Sequence, residues 1–270
     1  MSRLKVIQLV PALDAGGVER STLEIAAALV AAGHDAVVIS AGGRMVPELL
    51  ATGARHVQLD IGRKSLSTLF KVRRLRQLIA GADIVHARSR LPAWLAWLAM
   101  RKLDSPPHWV NTVHGLNSPG RYSRILTWGD RVICVSQSVR RHLLAHYPDL
   151  DSSRLEVIER GIDPDIFRRA QAPPELCRER YRAEFPELIG GRLLCLPGRG
   201  TRLKGHQAAI ELLVRLRARG VDARLLMVGV AQDGRSRYLA QLRRLARQRG
   251  VDAWLAFSPP RDDMQALYAA

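Results

Sequence analysis

Aromatic residues are scarce, 5% of 270, which argues against the stacking platforms on which single-strand nucleic-acid binders lay their bases. Cysteines are also few. Cys134, Cys177 and Cys195 lack zinc-ligand spacing and read as reduced thiols of a cytoplasmic protein. No apolar run reaches the roughly 18 residues of a membrane span. The opening Met1-Ser2-Arg3-Leu4-Lys5-Val6-Ile7 enters a strand directly, without the apolar segment and cleavage site of a secretory signal. No serine stands in a G-x-S-x-G elbow, so an acyl-transfer triad is unsupported. No cluster of histidine, cysteine and carboxylate has metal-ligand spacing, and no metal is expected. Helix-turn-helix, zinc-finger and RNP signatures are missing too, so nucleic acid is not an expected partner.

Acidic residues are outnumbered, 25 against 42 lysines and arginines, for a net charge of +17. Such a charge suits an anionic partner, a phosphorylated substrate or an anionic lipid surface. It equally suits the generic surface of an arginine-rich chain. The stretch from Arg63 to Arg76 repeats the choice locally. Arg63, Lys64, Lys71, Arg73, Arg74 and Arg76 stand beside an apolar stripe of Leu66, Leu69, Phe70, Leu75, Leu78 and Ile79. That pattern describes either a helix lying on an anionic membrane or a helix whose stripe faces a sheet and whose arginines are solvated.

What the chain has is alternation. Short Val- and Ile-rich runs at 4–10, 35–40, 56–59, 83–87, 108–114, 131–135 and 155–159 read as strands. Amphipathic stretches at 19–31, 46–51, 66–79, 91–101 and 136–146 read as helices between them. Strands alternating with helices predict an α/β fold with a parallel sheet covered on both faces. The segment 164–191, with Pro164, Pro173, Pro174, Pro186 and Gly190-Gly191, reads as an interdomain linker with a short helix at 175–183. Alternation resumes with strands at 193–196, 223–229 and 254–257 and helices at 206–219, 236–249 and 262–269. The expected domains are therefore 1–163 and a partial 192–270. The second is shorter than the roughly 100–150 residues of a free-standing α/β domain, and it stops inside a helical pattern. A C-terminal part is expected to be missing, leaving a sheet edge and apolar surface uncovered.

Candidate chemistry gathers where strands end, the edge at which α/β sheets bind ligands. Gly198-Arg199-Gly200-Thr201-Arg202-Leu203-Lys204-Gly205 leaves one strand and enters a helix. Glycines let the backbone approach a ligand, and the cations suit a phosphate. It is neither a Walker loop nor G-x-G-x-x-G. Asp14-Ala15-Gly16-Gly17 follows the first strand and is either a ligand loop or an ordinary turn. His114 ends the strand Trp109-Val110-Asn111-Thr112-Val113. It can hydrogen-bond a sugar hydroxyl, set a dipole near developing charge, or be satisfied by local backbone. Arg88 and Arg90, in His86-Ala87-Arg88-Ser89-Arg90, either bind an anionic acceptor or are solvated. In Leu155 to Asp163, ahead of Phe167, a structural hinge is preferred to catalysis by Glu159.

Six of these segments in register carry a resemblance: Asp14 to Arg20; Val110 to Gly115; Asp130 to Ser136; Val157 to Asp163 with Phe167; Pro197 to Gly205; and Leu226-Met227-Val228-Gly229. Together they resemble glycosyltransferase family 4, retaining GT-B enzymes that use nucleotide-sugar donors. His86 to Arg90 with Pro92-Ala93-Trp94 is similar to the branch that assembles lipopolysaccharide core. The resemblance implies two Rossmann-like domains, the second incomplete. It implies that Gly16, Gly17, Arg199 and Lys204 bind the donor diphosphate and that His114 contacts the donor sugar as the catalytic-side histidine. No cofactor or metal is implied, only the nucleotide-diphosphate sugar as co-substrate. The implied acceptor is a lipopolysaccharide-core, lipid-linked or polysaccharide glycan. The implied location is cytoplasmic, peripheral at the inner face of the membrane. The family's Glu-x7-Glu motif has no counterpart here, since Asp262 and Asp263 stand too early. The alternative is a non-catalytic nucleotide- or glycan-binding fragment.

Overall fold

The Val- and Ile-rich runs become strands, and in a computed structural model seven of them form one parallel sheet. The structure describes residues 2–14, 16–63, 65, 67–162, 164, 175–232 and 234–269. Asp163, Phe167, Lys64 and Leu66, named above, lie outside them. The chain divides into two units, Met1–Gly161 and Ile162–Ala270.

The first unit runs β1 (Lys5–Leu9), α1 (Gly17–Ala31), β2 (Asp35–Ser40), α2 (Val46–Ala51), β3 (Arg55–Gln58), α3 (Ser67–Ile79), β4 (Ile84–Ala87), α4 (Arg90–Met100), β5 (His108–Val113), α5 (Arg121–Arg124), β6 (Arg131–Cys134), α6 (Gln137–His146) and β7 (Leu155–Val157). The sheet order is β3-β2-β1-β4-β5-β6-β7, and every pairing is parallel. The chain winds outward from β1 to β3, returns to β4 beside β1, and winds the other way. The reversal makes a crevice at the carboxyl ends of β1 and β4, the switch point where doubly wound sheets bind ligands.

Residues of β2 alternate between two cores. Val37 and Ile39 join Leu75, Ile79 and Leu95 on one face, while Ala36 and Val38 join Leu23, Ala26 and Leu49 on the other. Each fully buried leucine or isoleucine contributes about 1.5–3 kcal/mol. The stripe of α3 thus faces the interior, with Leu75 and Ile79 fully buried, while Phe70 on the same helix is 84% exposed. Trp94, Trp97 and Trp128 pack edge to face with ring centres 5.3–5.5 Å apart, a favoured aromatic geometry. Among the described residues, no helix is long and apolar enough to cross a membrane.

The second unit contains α7 (Glu175–Glu184), β8 (Arg192–Pro197), α8 (His206–Ala218), β9 (Ala223–Val228), α9 (Ser236–Gln248), β10 (Leu255–Ser258) and α10 (Met264–Ala269). Its sheet is parallel, in the order β10-β9-β8. Ile210, Leu213, Leu242 and Ala246 cover one face. Tyr181, Phe185 and Leu267 cover the other, over Leu226, Val228 and Ala256. The stretch read as linker therefore divides: its helix buries two aromatic rings on the second sheet. Among the described residues β8 pairs only with β9, and Leu193 beside its other edge is 46% exposed.

Arg261 ties α7 to the start of α10. Its guanidinium donates to Asp263 at 2.7 and 2.9 Å, pairs with Glu184, and lies 5.2 Å from the Tyr181 ring centre. The Tyr181 hydroxyl donates to the same carboxylate at 3.0 Å, and Arg180 pairs with it. The bond from Arg261 comes first among the causes that lower the Asp263 pKa from 3.8 to about 2. Since the folded value is depressed, this contribution is present above pH ~4 and is lost as the pH falls towards 2. Acid titration of the second unit should lose up to about 2 kcal/mol in that window. Asp263→Asn should remove most of this slope, as measured by denaturant unfolding at pH 2.5 and pH 6.

Candidate functional site

In the first unit the chain leaving β1, from Pro11 to Leu13, is bonded to the loop that follows β2. Leu13 N–H donates to the Gly42 carbonyl at 2.8 Å, Met45 N–H to the Leu13 carbonyl at 2.8 Å, and Ala41 N–H to the Pro11 carbonyl at 3.0 Å. Gly43, with φ +140°, lies so close that a Cβ there would stand 2.4 Å from the Leu13 carbonyl carbon. Gly16 caps α1, with no side chain bonded to the first turn. The first amides of that helix thus carry a partial positive charge at the switch point.

Arg88 follows β4 into the same crevice. Of the two readings the sequence leaves open, its burial removes the solvated one. The residue is 3% exposed. Its Nη1 donates to Gln8 Oε1 at 3.0 Å, and its Nη2 donates to the Ser21 hydroxyl. Burial pulls its pKa down to about 10, so it remains a cation at neutral pH. Arg90 is half-buried: it donates to Ser123 Oγ at 3.2 Å and lies 5.2 Å from the Tyr122 ring centre. Neither arginine is a freely solvated loop cation.

His114 stands just past the end of β5. Burial first, then the charges of Arg88 and Arg160, lowers its pKa to about 2. His86, buried and bonded to Thr112 Oγ1 at 2.6 Å, is lowered to about 3, again chiefly by burial. Both rings are neutral at physiological pH. The crevice therefore holds two guanidinium charges, with Glu24 and Glu19 as the carboxylates acting on them.

Arg160 is the residue that sequence reasoning passed over. Three residues beyond β7, it reaches the Gly17 carbonyl at 2.5 Å, Ser21 Oγ at 3.1 Å and His114 Nδ1 at 2.8 Å. Its signal was a cation following a strand at the carboxyl edge, overshadowed by the neighbouring Glu159. Gln8 had a signal too, as a polar residue inside an apolar strand.

In the second unit the loop from Gly198 to Gly205 closes on itself. Gly198 N–H donates to the Val228 carbonyl at 2.8 Å, and Lys204 N–H to the Thr201 carbonyl at 3.0 Å. A Cβ on Gly200 would meet the Val230 carbonyl oxygen at 2.9 Å. Gly205 takes a left-handed conformation, φ +73°, to turn the chain into α8. His206 is fully buried, and its Nδ1 lies 3.2 Å from the Thr201 carbonyl, which fixes the loop from below. Arg199 and Lys204 are exposed, and among the described residues neither side chain has an ion-pair partner. A preformed loop thus presents Arg199 and Lys204, with Arg202 between them also exposed. Among the described residues, no group of histidine, cysteine and carboxylate side chains is placed to hold a metal ion.

A family model described as Glycosyltransferase Family 4 matches residues 15–166. A glycosyltransferase from Rickettsia africae is 30% identical, with a TM-score of 0.81 over 100% of this chain and 71% of its own. HepE from Anabaena, solved with UDP and glucose, shares the fold at 18% identity and a TM-score of 0.81, covering 99% of this chain and 72% of its own. The D-inositol 3-phosphate glycosyltransferase of Mycobacterium tuberculosis is 26% identical over 207 residues, 70% of this chain. The chain spans 40% of the length of that curated relative. Both sheets are those of the GT-B type, the second with three strands among the described residues. The chain belongs to Glycosyltransferase Family 4.

Proposed function

We propose that this chain belongs to an enzyme that moves a sugar from a nucleoside-diphosphate donor to a glycan acceptor with retention of configuration. The observation that carries the reading is the pair Arg199 and Lys204, two exposed cations without carboxylate partners on a loop stiffened by Gly198, Gly200 and His206. Cleaving a glycosidic bond leaves charge on the departing diphosphate while the sugar becomes cation-like, and preorganised cations on the phosphate lower that barrier. In the first unit, Gly16 and Gly17 at the start of α1 suit a phosphate, and neutral His114 suits a sugar hydroxyl. The bound state of HepE with UDP and glucose supports a nucleotide-sugar donor for this chain.

The acceptor we propose is a lipopolysaccharide-core or other lipid-linked glycan, with the enzyme at the cytoplasmic face of the membrane. Support comes from the motif from His86 to Trp94 and from the basic face of α3 with exposed Phe70. The test is incubation with labelled UDP-, GDP- and ADP-sugars and a lipid-linked acceptor, in the presence of EDTA. A labelled product that keeps the donor's anomeric configuration is expected. Failure of every donor to release nucleoside diphosphate overturns the reading. A second reading is donor binding without transfer. Calorimetric binding of a nucleotide sugar with no product would establish it.

A further inference from the structure

We propose that Arg160 is a positioning residue that fixes His114 as its Nε2–H tautomer and ties that ring to the glycine loop. A guanidinium has five N–H donors and no acceptor. Its Nη2 lies 2.8 Å from His114 Nδ1, so Nδ1 must present a lone pair. The ring is neutral, so its one proton sits on Nε2. That nitrogen is closed to solvent and has no partner among the described residues. A buried donor left without a protein partner calls for an explanation, and a ligand oxygen supplies one if the crevice opens by the width of one atom at Nε2. In this state His114 can donate a hydrogen bond through Nε2 but cannot act there as a general base.

The same side chain accounts for Gly17. A Cβ at that position would stand 2.6 Å from Arg160 Nη1. Gly17 has no positive φ, so its backbone would accept alanine. The obstacle is the guanidinium, which occupies the space to reach the Gly17 carbonyl at 2.5 Å. Removing the methyl group from position 17 thus makes room for the residue that orients position 114. Ser21 Oγ, reached by Nη groups of both Arg88 and Arg160, holds the two cations in register.

The consequence for sugar transfer rests on the function proposed above; the tautomer does not. The test is long-range nitrogen–proton NMR of the ring-labelled protein without ligand. The parent should show His114 with Nε2 protonated and Nδ1 bare. Arg160→Met should let the Nδ1–H form rise from undetectable to a measured fraction, and Gly17→Ala should do the same by displacing Arg160. Arg160→Lys, which restores a donor, should return the parent pattern. The other seven histidines report in the same spectra whether the variants remain folded. Nδ1 protonated in the parent, or a pattern unchanged in both Arg160→Met and Gly17→Ala, overturns the proposal. In a transfer assay, loss of a charge-assisted bond predicts turnover lowered about tenfold to a hundredfold in Arg160→Met, with recovery in Arg160→Lys. A protein that passes the NMR test and transfers no sugar retains the tautomer assignment and loses the function.

Discussion

Replacing Arg199 and Lys204 together by alanine should weaken binding of a nucleoside diphosphate by at least about a hundredfold, since hydrogen bonds to charged groups contribute about 1.5–3 kcal/mol each. Neither side chain supports the fold. Both are exposed, and among the described residues neither pairs with a carboxylate. Their loop is held instead by backbone bonds from Gly198 to Val228 and from Lys204 to Thr201 and by His206 beneath it. The unfolding midpoint of the double variant should therefore stay within about 2 °C of the parent, because surface substitutions of this kind cost within ±0.5 kcal/mol. Titration calorimetry at two salt concentrations measures the effect. Each cation contributes Coulombic attraction, so the parent's affinity should fall with salt more steeply than the variant's. Equal affinity in the two proteins would remove the loop from the binding site.

Gly43→Ala should destabilise the first unit by about 3 kcal/mol, although position 43 belongs to neither of the glycine motifs prominent in the sequence. A Cβ there meets the Leu13 carbonyl carbon at 2.4 Å and its oxygen at 2.5 Å. Both are backbone atoms of a residue that is fully buried, so they cannot step aside as a side chain could. The φ of +140° adds strain for any residue with a side chain. The neighbouring bonds, Leu13 to Gly42 and Met45 to Leu13, hold the two loops at this distance. A domain of this size loses roughly 2–4 °C of midpoint per kcal/mol, so a fall of about 10 °C is expected in thermal unfolding. A midpoint unchanged within 2 °C would mean that the loops separate at little cost.

The two predictions differ in how far the sequence pointed to them. Strands were legible because buried parallel strands carry continuous Val and Ile, as in Ala36-Val37-Val38-Ile39. The loop from Gly198 to Gly205 was legible because local order alone, strand then glycine then helix, implies its placement. The helix at 175–184 is legible as a helix, but its sequence points to a linker. Its two aromatic anchors, Tyr181 and Phe185, fall among many charges, and the surface they cover lies on β9 and β10. Arg160 was not legible as a partner of Gly17, since 143 positions separate them. Their meeting depends on the sheet order and on the path of the chain beyond β7. The burial of Arg88 was not legible either. A loop arginine near another is usually solvated, and nothing local announces that Gln8, 80 positions away, and Ser21 enclose it.

The edge-to-face tryptophans decide what light from this protein reports. Of five tryptophans, Trp94, Trp97 and Trp128 share one cluster and Trp109 lies in the same unit. Trp254 alone belongs to the second, with the Arg217 guanidinium 3.4 Å from its ring centre. Intrinsic emission is thus a four-to-one readout of the first unit, in which three chromophores are close enough to couple. Unfolding around Gly43 will register in it strongly. The loosening around Asp263 will register only through Trp254, one emitter in five.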